Sequence, residues 1–242
     1  MHSYNATGQR NITGLSPLKT SLFLVYNIFM KQYYIDKGSD SLLLFFAGWG
    51  CDEYEFEHLA SESDVLILYD YMDIKLNFDF SKYKEINMIA FSAGVFIGTL
   101  FDFNFKINKK IAIDGNPYLF DEHFGLSKNM QDILFNITED TAEDFARNYL
   151  VKTEEEYSNF HPAKRSLASC QEEFISLKNI YHSKKQDIKD TYDAAIAGDE
   201  DPIFDISAQK EYYGDRLHLI KNARHNIFFR IKSFEDIFGY IK

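Results

Sequence analysis

Cysteine, basic residues and long apolar runs are scarce in this chain of 242 residues. The two cysteines, Cys51 and Cys170, are too few and too far apart for a disulfide framework or a metal cluster, so a reducing cytoplasm is the expected location. Lys and Arg number 26 against 37 Asp and Glu, and the formal net charge of -11 argues against a nucleic-acid partner. The apolar stretch 21–29 is too short to span a bilayer, so no membrane association is expected.

The length and the order of apolar segments indicate one α/β domain with an insertion. Residues 1–29 are polar and then briefly apolar, without the features of a signal peptide, and we expect them to be an extension outside the core domain. The core is predicted to comprise residues 30–116 and 191–242. Residues 117–190 contain no convincing buried strand and are predicted to form an inserted helical lid.

Short apolar segments of the kind found in buried strands recur through the predicted core. Because they alternate with helical patterns, they predict crossover connections, a mostly parallel sheet and helices on both of its faces. The predicted strands are 32–35 (at an edge), 42–46, 65–69, 86–91, 110–113, 192–197 and 217–220. The predicted helices of the core are 54–59, 93–103 and 233–241.

One serine stands between a predicted strand and a predicted helix, in the stretch IAFSAGVF. Ser92 has the position of a nucleophile elbow, in which a tight turn lifts the hydroxyl above the sheet at the positive end of a helix. Ala90 stands where the pattern G-x-S-x-G has its first glycine, but both Ala90 and Gly94 are small enough for the turn. A serine before a helix is also a common N-cap, and the pentapeptide alone leaves both interpretations open.

A glycine-rich turn, Gly48-Trp49-Gly50, follows the predicted strand 42–46. In α/β-hydrolases the loop after this strand supplies one backbone N–H of the oxyanion hole, and the residue after the nucleophile supplies the other. Trp49 and Ala93 are therefore the candidate donors. The alternative is an ordinary turn with a packing tryptophan.

The acid and the base of a hydrolase are expected after later strands. The turn GDEDPIF, residues 198–204, follows the sixth predicted strand, and its apolar end indicates that it packs back on the body. Asp201 is the best candidate for the acid, Asp199 is next, and Asp114, at the end of the preceding strand, is a weaker alternative. Of the seven histidines, His225 alone lies in a loop directly after a predicted strand and ahead of the C-terminal helix.

Ser92, Asp201 and His225 occur in the order Ser-Asp-His, each at the carboxyl end of a predicted strand, where parallel sheets bind their ligands. This joint arrangement favours a catalytic triad over three unrelated residues. In the expected reaction His225 takes the proton of Ser92 as the serine attacks an ester carbonyl, and Asp201 orients the imidazole. No cofactor and no metal is expected.

Three stretches, FFAGWGCD, AFSAG and GDEDPIF, resemble those of the BioG family of bacterial pimeloyl-[acyl-carrier protein] methyl ester esterases. The resemblance runs from Met30 to the C-terminus and implies an α/β-hydrolase fold with a lid. It implies a substrate of biotin synthesis: a seven-carbon dicarboxylate, methylated at one end and joined through phosphopantetheine to a carrier protein. It also implies that Ser92, Asp201 and His225 are the triad and that Trp49 and Ala93 are the oxyanion donors.

An acyl-carrier protein is the partner implied by this resemblance. Carrier proteins are acidic, so the lid is expected to present cations despite the negative net charge. Each candidate could equally be an ordinary solvated side chain; they are Lys109, Lys110, Arg147, Lys152, Lys164 and Arg165.

Two other functions fit the same residues. One is a broad carboxylesterase or thioesterase of the same fold, and the other is a catalytically inactive binding protein in which Ser92 only caps a helix. The sequence leaves the oligomeric state open.

Overall fold

In the computed structural model, which describes residues 29–241, seven strands form one sheet in the order β1-β3-β2-β4-β5-β6-β7. The edge strand β1 is antiparallel to β3, and all other neighbouring strands are parallel. The predicted mostly parallel sheet is therefore confirmed. The strands are β1 (Lys31–Ile35), β2 (Ser41–Phe46), β3 (Asp64–Tyr69), β4 (Glu85–Phe91), β5 (Lys110–Ile113), β6 (Ala194–Gly198) and β7 (Leu217–Ile220).

Seven α-helices occur within residues 29–241, and four of them lie between β5 and β6. That region was predicted to be helical and, as far as the structure describes it, contains no strand. The helices are α1 (Ala93–Gly98), α2 (Lys128–Phe135), α3 (Glu139–Phe145), α4 (Glu154–Ser158), α5 (Leu167–Lys184), α6 (Ile206–Tyr213) and α7 (Asp236–Gly239). None of the helices in this range combines the length and apolar character that a membrane crossing requires.

The domain boundaries drawn from the sequence stay a prediction. Residues 1–28 of the expected extension lie outside the described residues. The structure places α2–α5 within residues 117–190, and the role of this segment as a lid is likewise a prediction.

The sheet separates two hydrophobic cores, because alternate side chains of a strand point to opposite faces. On one face the even-numbered residues of β2 pack against α1, α5 and α6, through side chains that include Phe96, Phe174, Leu177 and Tyr213. On the other face the odd-numbered residues of β2 meet an aromatic and aliphatic cluster of Phe56, Phe228, Phe234 and Ile237. Short 3₁₀ turns and α7 cover this second face.

Two predicted helices are shorter than expected, for a common reason. Residues 54–59 form only a 3₁₀ turn, Glu53–Phe56, and residues 233–241 contain only the short α7. The backbone N–H of Ala60 donates to Lys232 O at 2.8 Å, and Ala60 O accepts from the N–H of Phe234 at 3.1 Å. This pairing draws both segments into an extended bridge, so neither can continue as a helix.

The predicted helix 93–103 was also too long, since α1 ends at Gly98. Beyond it, the rings of Phe101, Phe103 and Phe105 pack against one another in succession, with centroid separations of 5.7 Å and 5.0 Å. These aromatic residues recur at every second position, which is the period of an extended chain and not of a helix.

Asp64, the first residue of β3, connects the edge strand β1 and the loop after it with the segment before β4. Its buried carboxylate accepts five hydrogen bonds, from Tyr34 Oη (2.5 Å), Lys37 N (2.8 Å), Ser39 N (3.0 Å), Lys82 Nζ (2.8 Å) and Tyr83 Oη (2.8 Å). Burial alone would raise the pKa of Asp64, but these hydrogen bonds, led by that from Lys82, hold the pKa well below its usual value. The charged form is therefore part of the folded structure.

We expect Asp64→Asn to destabilise the fold by about 3 kcal/mol at pH 7, because a buried acceptor loses its charge and part of its hydrogen bonding. For a chain of this length that corresponds to a fall in Tm of roughly 6–12 °C. Since the folded-state pKa lies below the unfolded one, this stabilisation is present above about pH 4 and is lost as the pH falls. The difference in unfolding free energy between wild type and variant, measured by urea unfolding, should therefore become smaller towards pH 3.

The matched control is Asp40→Asn, because Asp40 forms one exposed ion pair, with Lys84 at 2.6 Å. Such pairs contribute little, so this variant should keep the wild-type Tm. Equal effects of the two substitutions, or a difference that does not change with pH, would contradict the role given to Asp64.

Candidate active site

Ser92 lies in the sharp turn between β4 and α1. Its backbone angles, φ 53° and ψ −121°, are rare for a residue other than glycine. Its side chain caps no N–H of α1 in the described structure, and its Oγ lies 2.9 Å from Nε2 of His225. The residue thus has the strained backbone of a nucleophile elbow, and the geometry argues against the N-cap interpretation.

Small residues make this turn possible. A Cβ on Gly94 would lie 2.5 Å from the carbonyl oxygen of Ala47, so α1 can approach the end of β2 only with glycine there. A Cβ on Gly48 would lie 3.2 Å from the Cβ of Ser92, which shows that the loop after β2 passes directly over the serine. Ala90, in place of the usual glycine, is completely buried.

His225 follows β7, and Asp201 follows β6, so the order of the strands brings both side chains to the edge where Ser92 lies. Nδ1 of His225 is 2.9 Å from Oδ2 of Asp201, and both side chains are almost completely buried. The other oxygen of Asp201 accepts from the N–H of Ile203 at 2.8 Å. Phe204 stacks on the imidazole, with an interplanar angle of 16°. The ring is therefore oriented by Ser92, Asp201 and Phe204 together.

The structure separates Asp201 from the two alternative acids. Oδ1 of Asp114 accepts from the N–H of Gly198 at 2.8 Å, and its other oxygen is buried without a partner in the described part of the chain. Burial, together with the neighbouring Asp201, raises the pKa of Asp114 well above its usual value. Asp199 forms no hydrogen bond with His225. Of the three acids, Asp201 alone bonds the imidazole.

One set of side chains within residues 29–241 could offer three metal-ligand atoms, and it is Asp114, Asp201 and His225, with those atoms within 4.8 Å of one another. Both ring nitrogens of His225 already contact Ser92 and Asp201. A metal would have to replace one of these contacts. The arrangement therefore suits proton transfer better than metal ligation.

Two backbone N–H groups beside the serine have no acceptor among the described residues, those of Trp49 and Ala93. Ala93 is the first residue of α1, where N–H groups lack an intrahelical partner. Both residues line the cavity that Ser92 faces. These are the donors expected from the sequence, and their binding of an oxyanion stays a prediction.

The cavity above Ser92 has a volume of about 220 Å³ and a mostly apolar wall. Arg165 is the one arginine among its described lining residues, and the guanidinium is held by Asp70 at 2.7 Å and Glu173 at 2.5 Å. The cavity therefore suits an uncharged aliphatic group. The helical segment between β5 and β6 contributes the apolar side chains Leu134, Ile137, Phe145, Leu150, Leu167, Phe174 and Leu177.

Glu55 is a cavity residue that sequence reasoning missed. Its buried carboxylate accepts from Nδ2 of Asn226 at 2.7 Å, and so it fixes the residue after His225. Burial raises the pKa of Glu55 to about 7, and hydrogen bonds from Cys51 and Asn226 limit the rise. Its position between Tyr54 and Phe56, in a predicted helix of the core domain, was the available signal.

The six candidate docking cations do not lie together. Lys109 and Lys110 stand at the amino end of β5, across the sheet from Ser92, and the guanidinium of Arg165 is buried. The remaining three cations lie next to segments that line the cavity, and each contacts an acidic or an aromatic side chain. Arg147 pairs with Glu143 and Glu154, Lys152 pairs with Glu200, and Nζ of Lys164 lies 3.2 Å from the ring centre of Tyr54.

We expect Glu55→Gln to reduce the pH dependence of stability. A carboxyl group with a raised folded-state pKa stabilises the fold below its unfolded pKa, and this stabilisation is lost as the pH rises through about 7. The pKa difference corresponds to roughly 3 kcal/mol between pH 4 and pH 8. The wild type should therefore lose that much more unfolding free energy than the variant over this interval, as measured by urea unfolding.

Glu57→Gln is the matched control, because Glu57 is exposed and directly follows the same turn. Its unfolding free energy should change with pH as that of the wild type does. If Glu55→Gln and the wild type lose the same free energy between pH 4 and pH 8, the buried carboxyl is not the titrating group.

Comparison with known proteins identifies the family and the fold. The family described as pimeloyl-ACP methyl esterase BioG matches residues 30–237. A crystal structure of BioG from Haemophilus influenzae superposes with a TM-score of 0.74 at 27% identity, covering 88% of this chain and 100% of that one. A lipase-esterase related protein from Clostridium acetobutylicum has a TM-score of 0.56 at 17% identity, covering 88% and 99% of the two chains, and shares the fold. The predicted α/β-hydrolase fold is confirmed.

A further relative is longer than this chain. The malonyl-[acyl-carrier protein] O-methyltransferase of Bacteroides fragilis is 32% identical over 178 residues, which cover 70% of this chain. The matched region is 36% of that protein.

Proposed function

The chain belongs to the BioG family of pimeloyl-ACP methyl esterases, and on this basis we propose that it hydrolyses the methyl ester of pimeloyl-[acyl-carrier protein] in biotin synthesis. The observation that carries the proposal is the strained turn at Ser92, whose Oγ lies 2.9 Å from His225 Nε2. A serine esterase needs such a nucleophile, with a base in contact with its hydroxyl.

The proposed reaction has two halves. Nε2 of His225 takes the proton of Ser92 Oγ as that oxygen attacks the ester carbonyl, and Asp201 stabilises the imidazolium. The negative oxygen of the tetrahedral intermediate accepts from the N–H groups of Trp49 and Ala93. His225 then gives its proton to the departing methoxide, which leaves as methanol. In the second half, Nε2 of His225 takes a proton from water as the water oxygen attacks the acyl-enzyme carbonyl, and it returns that proton to Ser92 Oγ as the acyl–Oγ bond breaks. The acyl group leaves as a carboxylic acid, ionised at neutral pH.

The character of the cavity supports a neutral ester as the substrate. Its apolar wall suits the methylene chain of a pimeloyl group, and the methyl ester removes the charge from the reacting end. Among the described lining residues, the guanidinium of Arg165 is already neutralised by Asp70 and Glu173. A free carboxylate would therefore be poorly held, which favours departure of the product.

One relative supports the link to carrier-bound acyl groups. The Bacteroides fragilis protein is named as a methyltransferase acting on malonyl-[acyl-carrier protein], and part of it is similar to this chain. A methyl group placed on the distal carboxyl of such a thioester forms a methyl ester, which is the group that the proposed esterase would hydrolyse.

Ser92→Ala should abolish hydrolysis of a short p-nitrophenyl ester, because no nucleophile remains. Asp201→Asn should lower kcat roughly 10⁴-fold, since the imidazole then lacks its carboxylate partner. Stopped-flow or steady-state release of p-nitrophenol measures both. Asp199→Asn, which removes an acid from the same turn without touching His225, should retain most of the activity. A larger loss for Asp199→Asn than for Asp201→Asn would mean that the wrong acid has been chosen.

Complementation tests the proposed substrate. In a biotin auxotroph that lacks its own pimeloyl-ester esterase, the wild-type gene should restore growth without biotin and Ser92→Ala should not. If the wild-type protein is made and hydrolyses p-nitrophenyl esters but does not restore growth, it is an esterase with another substrate.

Lys164 is the cation beside the cavity whose partner is an aromatic ring instead of a carboxylate. Lys164→Glu should lower kcat/KM for the carrier-bound ester roughly tenfold, because it places a negative charge against an acidic partner. Hydrolysis of free methyl pimelate should change little. Lys109→Glu is the matched control, since Lys109 lies at the opposite end of the sheet. The measured quantity is the ratio of kcat/KM for the carrier-bound ester to kcat/KM for free methyl pimelate. If this ratio is the same in the wild type and in both variants, Lys164 does not belong to the docking surface.

A further inference from the structure

Two hydrogen bonds join the loop that carries Trp49 to α5. The indole Nε1 of Trp49 donates to the carbonyl oxygen of Cys170 at 2.6 Å. The backbone N–H of the next residue, Gly50, donates to Oε2 of Glu173 at 3.0 Å. These two hydrogen bonds fix the side chain of Trp49 and the peptide group that follows it, and they leave the backbone N–H of Trp49 without a protein acceptor in the described structure.

Glu173 joins three parts of the fold. Its side chain is completely buried, and its Oε1 accepts from the N–H of Tyr71, just after β3, at 3.0 Å. Tyr71 in turn donates from its hydroxyl to the carbonyl oxygen of Ala47 at 2.7 Å. The carboxylate therefore connects α5 with both chain segments that support the loop 48–50.

Arg165 supplies the charge that balances Glu173. Its Nη1 lies 2.5 Å from Oε2 of Glu173, and its Nη2 lies 2.7 Å from Asp70. Buried ion pairs are seldom better for stability than well-packed apolar residues of the same volume. An apolar residue at position 173, however, could not accept the N–H of Gly50. The carboxylate is thus explained by the geometry it imposes on the loop.

Glu173 does not itself line the cavity, whereas Phe174 and Leu177 of the same helix do. The helix therefore contacts the acyl cavity with one face and the supporting side of the loop with another. Any effect of Glu173 on catalysis has to pass through a residue that it contacts, in the loop or at Arg165.

We propose that Glu173 is a positioning residue for the oxyanion site, which it orients by holding the N–H of Gly50 so that the N–H of Trp49 points to Ser92. This inference rests on the part of the proposed function that makes Ser92 an esterase nucleophile. It does not depend on the carrier protein or on the pimeloyl group, so it is tested with a small ester.

The test is Glu173→Gln, compared with Glu172→Gln. Glu173→Gln keeps the shape of the side chain, and Arg165 keeps Asp70 as its partner, so the fold should survive. We expect kcat for a p-nitrophenyl ester to fall roughly 10–100-fold, less than the loss caused by removing an oxyanion donor outright. KM should stay within about twofold, because the substrate in its ground state makes little use of the oxyanion donors.

A transition-state analogue separates positioning from general damage. The inhibition constant of a trifluoromethyl ketone, whose adduct with Ser92 has the oxyanion, should rise by the same factor as kcat falls. Binding of an ether of the same chain length, which cannot form an oxyanion, should not change. Glu173→Asp, which keeps the charge but is one methylene too short to reach Gly50, should show the same pattern.

Glu172→Gln should retain the wild-type kcat and inhibition constant, because Glu172 is the half-buried neighbour on α5 and bonds no residue of the loop. If Glu173→Gln matches this control, the positioning role is overturned while the esterase assignment stands. A parallel loss of Tm and of ether binding in both Glu173 variants would make the role structural. An inactive wild-type protein would overturn both proposals.

Discussion

The close contact between the amino end of α1 and the carboxyl end of β2 is the constraint on which the site depends. Because Gly94 lacks a Cβ, the helix can lie against the Ala47 carbonyl oxygen. This contact sets the direction in which the chain leaves β4, and it holds Ser92 in a conformation that costs on the order of 1–3 kcal/mol. Burial of apolar side chains in the two cores, one on each face of the sheet, offsets that cost.

The helical segment between β5 and β6 shapes the other half of the site. It supplies apolar side chains to the cavity wall, and its Arg165 and Glu173 form a buried group of three charges with Asp70, which follows β3. The two halves have complementary effects. An apolar cavity wall strengthens the interaction between backbone dipoles and a developing charge, because the local dielectric constant is low. The buried charged group fixes the direction of those dipoles.

The sequence was informative where function follows from local order. Parallel strands bring their carboxyl ends to one edge, so the strand pattern was enough to place Ser92, Asp201 and His225 together, and the structure has them in contact. Features that depend on distant partners were not predictable. Glu173 meets Gly50 across 123 positions, and the 3₁₀ turn at Glu53–Phe56 reflects pairing with the C-terminal segment. Arg165 resembled a solvated cation because its two carboxylates come from other elements.

The double contact of α5 bears on how the acyl preference of such a protein can change in evolution or by design. Substitutions on α5 that enlarge or shorten the cavity, at Phe174 or Leu177, also move the support of the loop, so chain-length preference and turnover would change together. Leu134 and Ile137 line the same cavity from α2 and the turn after it, with no hydrogen bond to the loop among the described residues. Side chains on that side can be changed without removing a hydrogen bond to the loop, and new substrate ranges are most accessible there.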